Sequence, residues 1–401
     1  MRVLYLYPAR AFGGAAKSLI EMSEILRGFG VEATVICPLG RAAECFKRAG
    51  LEAHEVPLGL MQFDNTLYGH YRGLRWLILL REFCLLPFSL LALLKLKYSG
   101  QKFELVHANE ANVLLLGMFA KWLFKVPLVV HVRSVQRNDD GIRTRFLLRC
   151  LRRHADAVIC IDQTVRRSLP AELDCIVIHN GLNLSGQNQS SLNAVRPKVT
   201  LGYVGNLLRL KGVYELLEAV RILSAEQHLD FKLLIYGENV RTTNQVKACV
   251  LKLLGFGADV EREIKDFVVK YQLQVVVELR GFVEDVRDIY PEMDILCFTS
   301  HLNAAGRPVF EAACFGIPSV VAMDTPPEDA IQHDVTGLVI ERPEPQLIAE
   351  ALARLISDEI LRQRLGENAR AWSQQYFDIS RNAEKVYRLY ESLMIRRNAV
   401  E

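Results

Sequence analysis

The chain lacks most of what would point away from an ordinary globular protein. It carries no excess of either charge: 49 lysines and arginines stand against 46 aspartates and glutamates, a formal net charge of +3. That balance leaves no electrostatic footprint for nucleic acid, and no such partner is expected. The nine cysteines are scattered and none forms a C-x-x-C pair. Several (Cys37, Cys160, Cys297) fall in stretches that read as buried strands, the pattern of free thiols in a reducing compartment rather than of a disulfide framework or a zinc site. Nor is there an uninterrupted apolar run of the roughly 20 residues that a membrane span needs. The most hydrophobic window, residues 74–98, is broken by Arg81, Glu82 and Pro87. It reads either as a buried helix pair covering a sheet or as a helix lying on a membrane surface, with Arg72, Arg75, Arg81, Lys95 and Lys97 towards lipid head groups. A strand expected at residues 3–7 leaves no room before it for a signal peptide, so the expected location is cytoplasmic.

What is present is enough chain, 401 residues with half of them hydrophobic, for two domains with sizeable cores. The grammar is that of doubly wound α/β units. Residues 295–298 are an apolar run short enough for a strand buried on both faces. The small loop Asn303-Ala304-Ala305-Gly306 follows, and Arg307-Pro308 opens a helix with proline where its missing N–H costs nothing. That helix is expected to run to Cys314, with Gly316 as a left-handed cap before a second buried strand at 319–322. Such a loop lies past the carboxyl end of a strand, where parallel sheets bind ligands and free backbone N–H groups can meet an anion. Glu311 sits about one turn into this otherwise apolar helix. Turned to the sheet it would need partners, since an unpaired buried carboxylate costs several kcal/mol, and a pair of ligand hydroxyls would serve. On the solvent edge it would need none, and the helix alone leaves both open.

The same pattern recurs along the chain. The strand at 3–7 leads through Gly13-Gly14 into a helix over 15–27, and further strands are expected at 31–37, 55–57, 104–109, 126–133, 156–161 and 176–181. Two of them place His107 and His131 at their carboxyl ends, which suggests a cleft. The polar, aperiodic stretch 185–197 reads as a linker between domains. Beyond it come a strand at 200–205, a loop holding Arg209 and Lys211, a helix over 213–223, and a strand at 232–236 ending in Gly237-Glu238. A stretch over 239–266 is longer than one crossover needs. A strand end at Phe282 and Val283 follows, and amphipathic helices are expected over 347–364 and 379–397. Cations at the head of a helix need an anion nearby to be favourable; otherwise Arg209 and Lys211 are solvated surface groups. Domains are expected at 1–185 and 196–378, with helix 379–397 packing back on the first.

These residues resemble those of the retaining glycosyltransferases of the GT-B type, the group 1 or family 4-like enzymes. The family's E-G-F-G-x-x-x-x-E-A-x-x-x-G-x-P-V run is met by Gly306, Glu311, Ala312, Gly316 and Pro318, with Asn303 in place of its first glutamate. Its G-G-A-E loop becomes Gly13-Gly14-Ala15-Ala16, without the acid. The V-x-x-x-H strand ends at His131, and V-I-x-N-G is met at 177–181. V-G-R-x-x-x-x-K-G is met at 204–212, with Lys211 in place and Asn206 where an arginine normally sits. T-G-L-L-V is met at 336–339.

The resemblance implies an α/β fold of two Rossmann-like domains facing across a cleft. A nucleotide-sugar donor would bind mainly on the second, and the first would present a carbohydrate or lipid-linked acceptor. His131 would lie beside the anomeric carbon. Lys211, with Arg209 replacing the lost arginine, would offset charge on the leaving diphosphate. Gly14, Gly205, Asn206, Gly237, Asn303, Gly306 and Arg307 would shape the donor site, Phe282 and Val283 would meet the base, and Glu311 would hold the ribose hydroxyls. No D-x-D motif occurs, consistent with a transferase that needs neither metal nor another cofactor. An amide at position 303 cannot act as a carboxylate nucleophile, so retention would proceed by front-face transfer, and the change bears mainly on donor identity. The departures at Ala16, Asn206 and Asn303 also fit a degenerate relative that binds a nucleotide sugar or a partner transferase without turnover, and an epimerase of the same fold is a third reading. The implied work is glycan or glycolipid assembly in the cytoplasm, at the inner face of the membrane if residues 74–98 contact lipid.

Overall fold

A computed structural model of the chain describes residues 1–67, 78–182, 197–226, 229–239, 259–283 and 285–398. The chain divides into two compact units, Met1–Asn183 with Phe377–Glu401, and Leu184–Tyr376. Outside the described residues lie the expected linker apart from Pro197, residues 74–77 with Arg72 and Arg75, and 240–258 of the long crossover.

The first unit is built on strands β1 Arg2–Leu6, β2 Glu32–Pro38, β3 Glu52–Val56, β4 Leu105–Ala108, β5 Leu128–Val132, β6 Ala157–Cys160 and β7 Ile176–Val177. They form one sheet in the order β3-β2-β1-β4-β5-β6-β7, parallel throughout. Its helices are α1 Gly14–Gly28, α2 Arg41–Arg48, α3 Ile78–Tyr98, α4 Leu114–Phe124, α5 Ile142–His154 and α6 Gln163–Arg167. The strands read as continuous apolar runs because both faces are covered. Leu4, Leu6, Val106, Val130 and Val132 pack with α3, α4 and α5, while their neighbours Val3, Tyr5, Leu105 and Val129 pack with α1 on the other side. Window 74–98 is one helix over its described part rather than a pair: α3 runs through Pro87. Proline removes one backbone donor, the one that would have met the Phe83 carbonyl a turn earlier.

The second unit holds β8 Val199–Val204, β9 Phe231–Tyr236, β10 Val277–Gly281, β11 Ile295–Phe298, β12 Ser319–Ala322 and β13 Gly337–Ile340. Its sheet order is β10-β9-β8-β11-β12-β13, again all parallel. The helices are α7 Val213–Ser224, α8 Val260–Lys270, α9 Arg307–Cys314, α10 Pro345–Ser357 and α11 Glu359–Tyr376. The single helix expected over 347–364 is therefore two. The break falls at Asp358, whose carboxylate accepts the Leu361 amide at 2.8 Å and caps α11, a stop made without glycine or proline.

The chain then rejoins the first unit. Leu182 N donates to Phe377 O at 2.9 Å, and a Cβ on Gly181 would collide with Ile379 Cα, so only glycine permits this crossing. Helix α12, Ile379–Asn398, buries Ala383, Val386, Tyr390 and Leu393 against the α1 side of the sheet.

Candidate functional site

In the second unit the strand order reverses direction between β8 and β11, the place where open α/β sheets bind ligands beyond their carboxyl ends. The loop after β8 and the loop after β11 are tied together there. Thr299 Oγ1 donates to Gly212 O at 2.8 Å, and His301 N donates to Leu210 O at 3.0 Å. Gly212 has φ +71°, and a Cβ on it would run into Thr299 O, so the contact requires glycine. Gly237 likewise presses on Gly205, where a Cβ would strike the carbonyl. Lys211 closes a 3₁₀ turn over Arg209–Lys211. Its ammonium is half-buried, burial pulls its pKa below the ordinary lysine range, and it lies 5.6 Å from the centre of the Phe298 ring. Among the described residues it makes no ion pair. Arg209 is placed differently: its exposed guanidinium pairs with Glu263 at 2.9 Å and lies 4.8 Å over the Tyr214 ring. Asn206 is exposed, with its carbonyl accepting from Tyr203 Oη at 3.2 Å. Phe282 is 40% exposed and Val283 partly so, both just past the end of β10.

The loop after β11 leads into α9 through Gly306, the N-cap, where no side chain caps the helix. Asn303 adopts a left-handed φ of +46°, a conformation asparagine tolerates better than glutamate does. Its Oδ1 accepts the Asp324 amide at 2.7 Å. Glu311 is buried, which settles its side of the helix. Arg307 Nε donates to Oε1 at 2.7 Å and Tyr290 Oη donates to Oε2 at 2.8 Å. The carboxylate is therefore satisfied by the protein itself.

In the first unit, His107 and His131 stand on adjacent strands with ring centres 5.4 Å apart. Arg133, two residues past His131 and so on the same side of the strand, is the hub. Its Nε and Nη2 donate to Asn109 Oδ1 at 3.1 and 2.9 Å, and its Nη1 to Asn180 Oδ1 at 2.7 Å. Nη2 also lies 3.2 Å from His131 Nδ1. A guanidinium cannot accept, so Nδ1 must, which puts the ring proton on Nε2. Burial, with help from Arg133 and His107, holds the His131 pKa well below its ordinary value. The resulting Nε2–H has no partner among the described residues, and His131 borders a small cavity with Ser18, Asn180, Ile379 and Asn382. His107 Nδ1 is 2.6 Å from Tyr390 Oη, which is 3.0 Å from Tyr5 Oη. Burial, then Arg133, pulls His107 down to about 3. Glu110 accepts from Arg133 N, Ala111 N and Ser134 Oγ, and burial pushes its carboxyl up. Gly14 is the first residue of α1. Ala16, where the resembled loop has an acid, is fully buried in the core, a position that would leave a carboxylate uncompensated.

Sequence reading missed Arg133, Tyr290 and Tyr390 as site residues. The first had a signal, its two-residue spacing from His131 on a strand. The tyrosines had none, because their partners are distant in sequence.

Two family models divide the chain in the same way. Glycosyl transferase 4-like domain matches residues 13–181, and Glycosyl transferases group 1 matches residues 187–372. The chain belongs to the GT-B glycosyltransferases of group 1. This group 1 protein is 25% identical over 194 residues to the capsular polysaccharide biosynthesis glycosyltransferase CapM of Staphylococcus aureus, a match that spans 48% of this chain and 46% of CapM. It is 22% identical to an Escherichia coli UDP-Gal:alpha-D-GlcNAc-diphosphoundecaprenol alpha-1,3-galactosyltransferase, over 77% of this chain and 80% of that one. Among solved structures, Anabaena HepE in complex with UDP-glucose superposes with a TM-score of 0.75 at 21% identity, covering 98% of this chain and 100% of that chain; such a likeness shows the fold. Among the described residues no helix is long and apolar enough to cross a membrane.

Proposed function

We propose that this group 1 protein transfers a sugar from a nucleotide-sugar donor to an acceptor hydroxyl in glycan assembly, with retention of configuration and without a metal ion. The observation that carries the reading is Lys211, a half-buried cation at the strand-order reversal with no carboxylate beside it among the described residues. Burial of an ammonium is unfavourable until an anion joins it, and a donor diphosphate is such an anion. The ligands of the HepE structures, UDP with glucose and UDP-glucose, support a UDP-sugar. The E. coli relative's diphosphoundecaprenol-linked substrate supports a glycan or lipid-linked acceptor.

In this reading Lys211 and the amides near Gly306 and Arg307 offset the charge that grows on the departing diphosphate, and electrostatic help of that kind usually contributes most to such catalysis. Glu311, fixed by Arg307 and Tyr290, accepts the ribose hydroxyls. Gly205, Asn206 and Gly237 line the phosphates, and Phe282 and Val283 meet the base. Arg209 would join the diphosphate only by exchanging Glu263 for it. His131, neutral with its proton on Nε2, donates to a sugar hydroxyl and does not abstract a proton through Nδ1. With an amide at 303 there is no carboxylate nucleophile at that position. The acceptor oxygen bonds to the anomeric carbon on the face from which the diphosphate leaves, and the acceptor proton passes to a departing phosphate oxygen.

The test is turnover of a UDP-sugar panel against lipid-linked and oligosaccharide acceptors in excess EDTA, with the product's anomeric configuration read by NMR. An α-linked product from an α-linked donor, formed in EDTA and lost in His131→Ala while UDP still binds, is expected. A β-linked product would overturn retention, and loss of all turnover in EDTA would overturn metal independence. UDP binding without transfer to any acceptor would favour the degenerate reading.

A further inference from the structure

Helices α3, α4 and α5 form one layer over the first unit's sheet, and their outer surface is unlike that of the opposite layer. The exposed positions of α1 and α12 are mostly polar or charged. On α3 the exposed positions recur at helical spacing and are mostly apolar, with Leu80, Phe83, Phe88 and Leu91 among them and Phe83 73% exposed. On α4 the half-buried Leu115, Met118 and Phe119 lead along one side to Trp122, which is 72% exposed. Helix α5 adds Ile142, 82% exposed. A soluble helix normally buries its apolar stripe and shows a polar one, and a contiguous exposed apolar surface marks an interaction site.

Charge says what the surface meets. The chain as a whole is almost balanced, yet these three helices contain one acid, Glu82, and it is buried. Around the apolar strip stand the exposed Lys95, Lys97, Arg145, Arg149, Arg152 and Arg153. Apolar side chains to insert and cations to meet phosphate head groups are together the two signals that a peripheral membrane protein needs. We propose that the outer surface of α3, α4 and α5 docks on an anionic lipid bilayer, with Phe83 and Trp122 entering the interface and the α5 arginines on the head groups. This does not depend on the donor assignment, since docking is read without turnover.

The test is co-sedimentation of the full chain with phosphatidylglycerol vesicles and with phosphatidylcholine vesicles, at about 0.1 and 0.5 M salt. Binding to the anionic vesicles that weakens with salt, as screening requires, is expected. Arg149→Glu with Arg152→Glu and Arg153→Glu should weaken it at least a hundredfold, since each surface cation contributes about fivefold. Phe83→Asp with Trp122→Asp should abolish it, and both variants, altered only at exposed positions, should keep the parent's melting temperature. Three results would overturn the proposal: no partition to either vesicle, binding that both variants leave unchanged, or a self-associated chain in solution that Phe83→Asp turns into monomer while vesicles go unbound.

Discussion

The two units each keep a cation out of the solvent, and they do so in opposite ways. Arg133 is surrounded by acceptors that are already in place: two asparagine carbonyls, a neutral histidine nitrogen and, close to its backbone, the Glu110 carboxylate. Lys211 has the face of an aromatic ring and, among the described residues, no counter-charge. The first arrangement is finished without a ligand and serves to fix the proton of His131. The second is left short of an anion, which is what a site for a diphosphate needs before the diphosphate arrives. Stability is concentrated in one centre and binding in the other, so substitutions in the two should divide between unfolding and affinity.

The sharpest break of that division is Arg133→Met. Removing the hub leaves the Oδ1 atoms of buried Asn109 and half-buried Asn180 without their donor, and about 2–4 kcal/mol of stability should be lost in urea unfolding. A loss under about 1 kcal/mol would mean the network is not a structural centre. The histidines provide the next effect. His107, at about 3 in the fold against an ordinary 6.5, stays neutral when folded and takes a proton on unfolding. The unfolded chain therefore binds more protons between pH 6.5 and 3, so its contribution is complete above 6.5 and falls as the pH drops through that window. The loss approaches about 1.4 kcal/mol per pH unit for each such histidine. His107→Gln should flatten the acid limb of a stability-against-pH series, and an unchanged limb would refute the assignment.

In the second unit the effects on stability should be smaller. Glu311→Gln removes the charge facing Arg307 and should cost about 2 kcal/mol in the same unfolding assay. Asn303→Glu, which restores the resembled family's residue, should cost about 1 kcal/mol, because glutamate accommodates φ +46° poorly and gives up the bond to Asp324 N. Lys211→Met should cost nothing measurable in melting experiments without ligand, since it relieves a half-buried cation. A clear loss there would show that Lys211 is a structural residue and not a waiting one.

Much of the fold could be read from the residues because its signals are local. The strand at 295–298, the helix ending at Cys314 and the left-handed Gly316, with φ +71°, follow from an apolar run, a proline and a glycine close together in the chain. The order of strands and helices in both units follows from the same grammar repeated. What was not legible depends on contacts between distant residues. The side taken by Glu311 is decided by Tyr290, 21 positions upstream, and His107 is completed by Tyr390, 283 positions away. Nothing around α3 announced that its helix continues through Pro87, and nothing around Asp358 but its own side chain announced a break. In the site, the lysine and the glycines were legible as a pattern, whereas the engagement of Arg209 by Glu263 required a residue 54 positions further on.

The central claim is that Lys211 is held ready for a diphosphate, and calorimetric titration of UDP into the wild-type chain and into Lys211→Met tests it most directly. A hydrogen-bonded ionic contact of this kind contributes about 1.5–3 kcal/mol, so the variant should bind UDP roughly tenfold to a hundredfold more weakly while melting at the wild-type temperature. Equal affinity in the two proteins, or no UDP binding by the wild type, would contradict it.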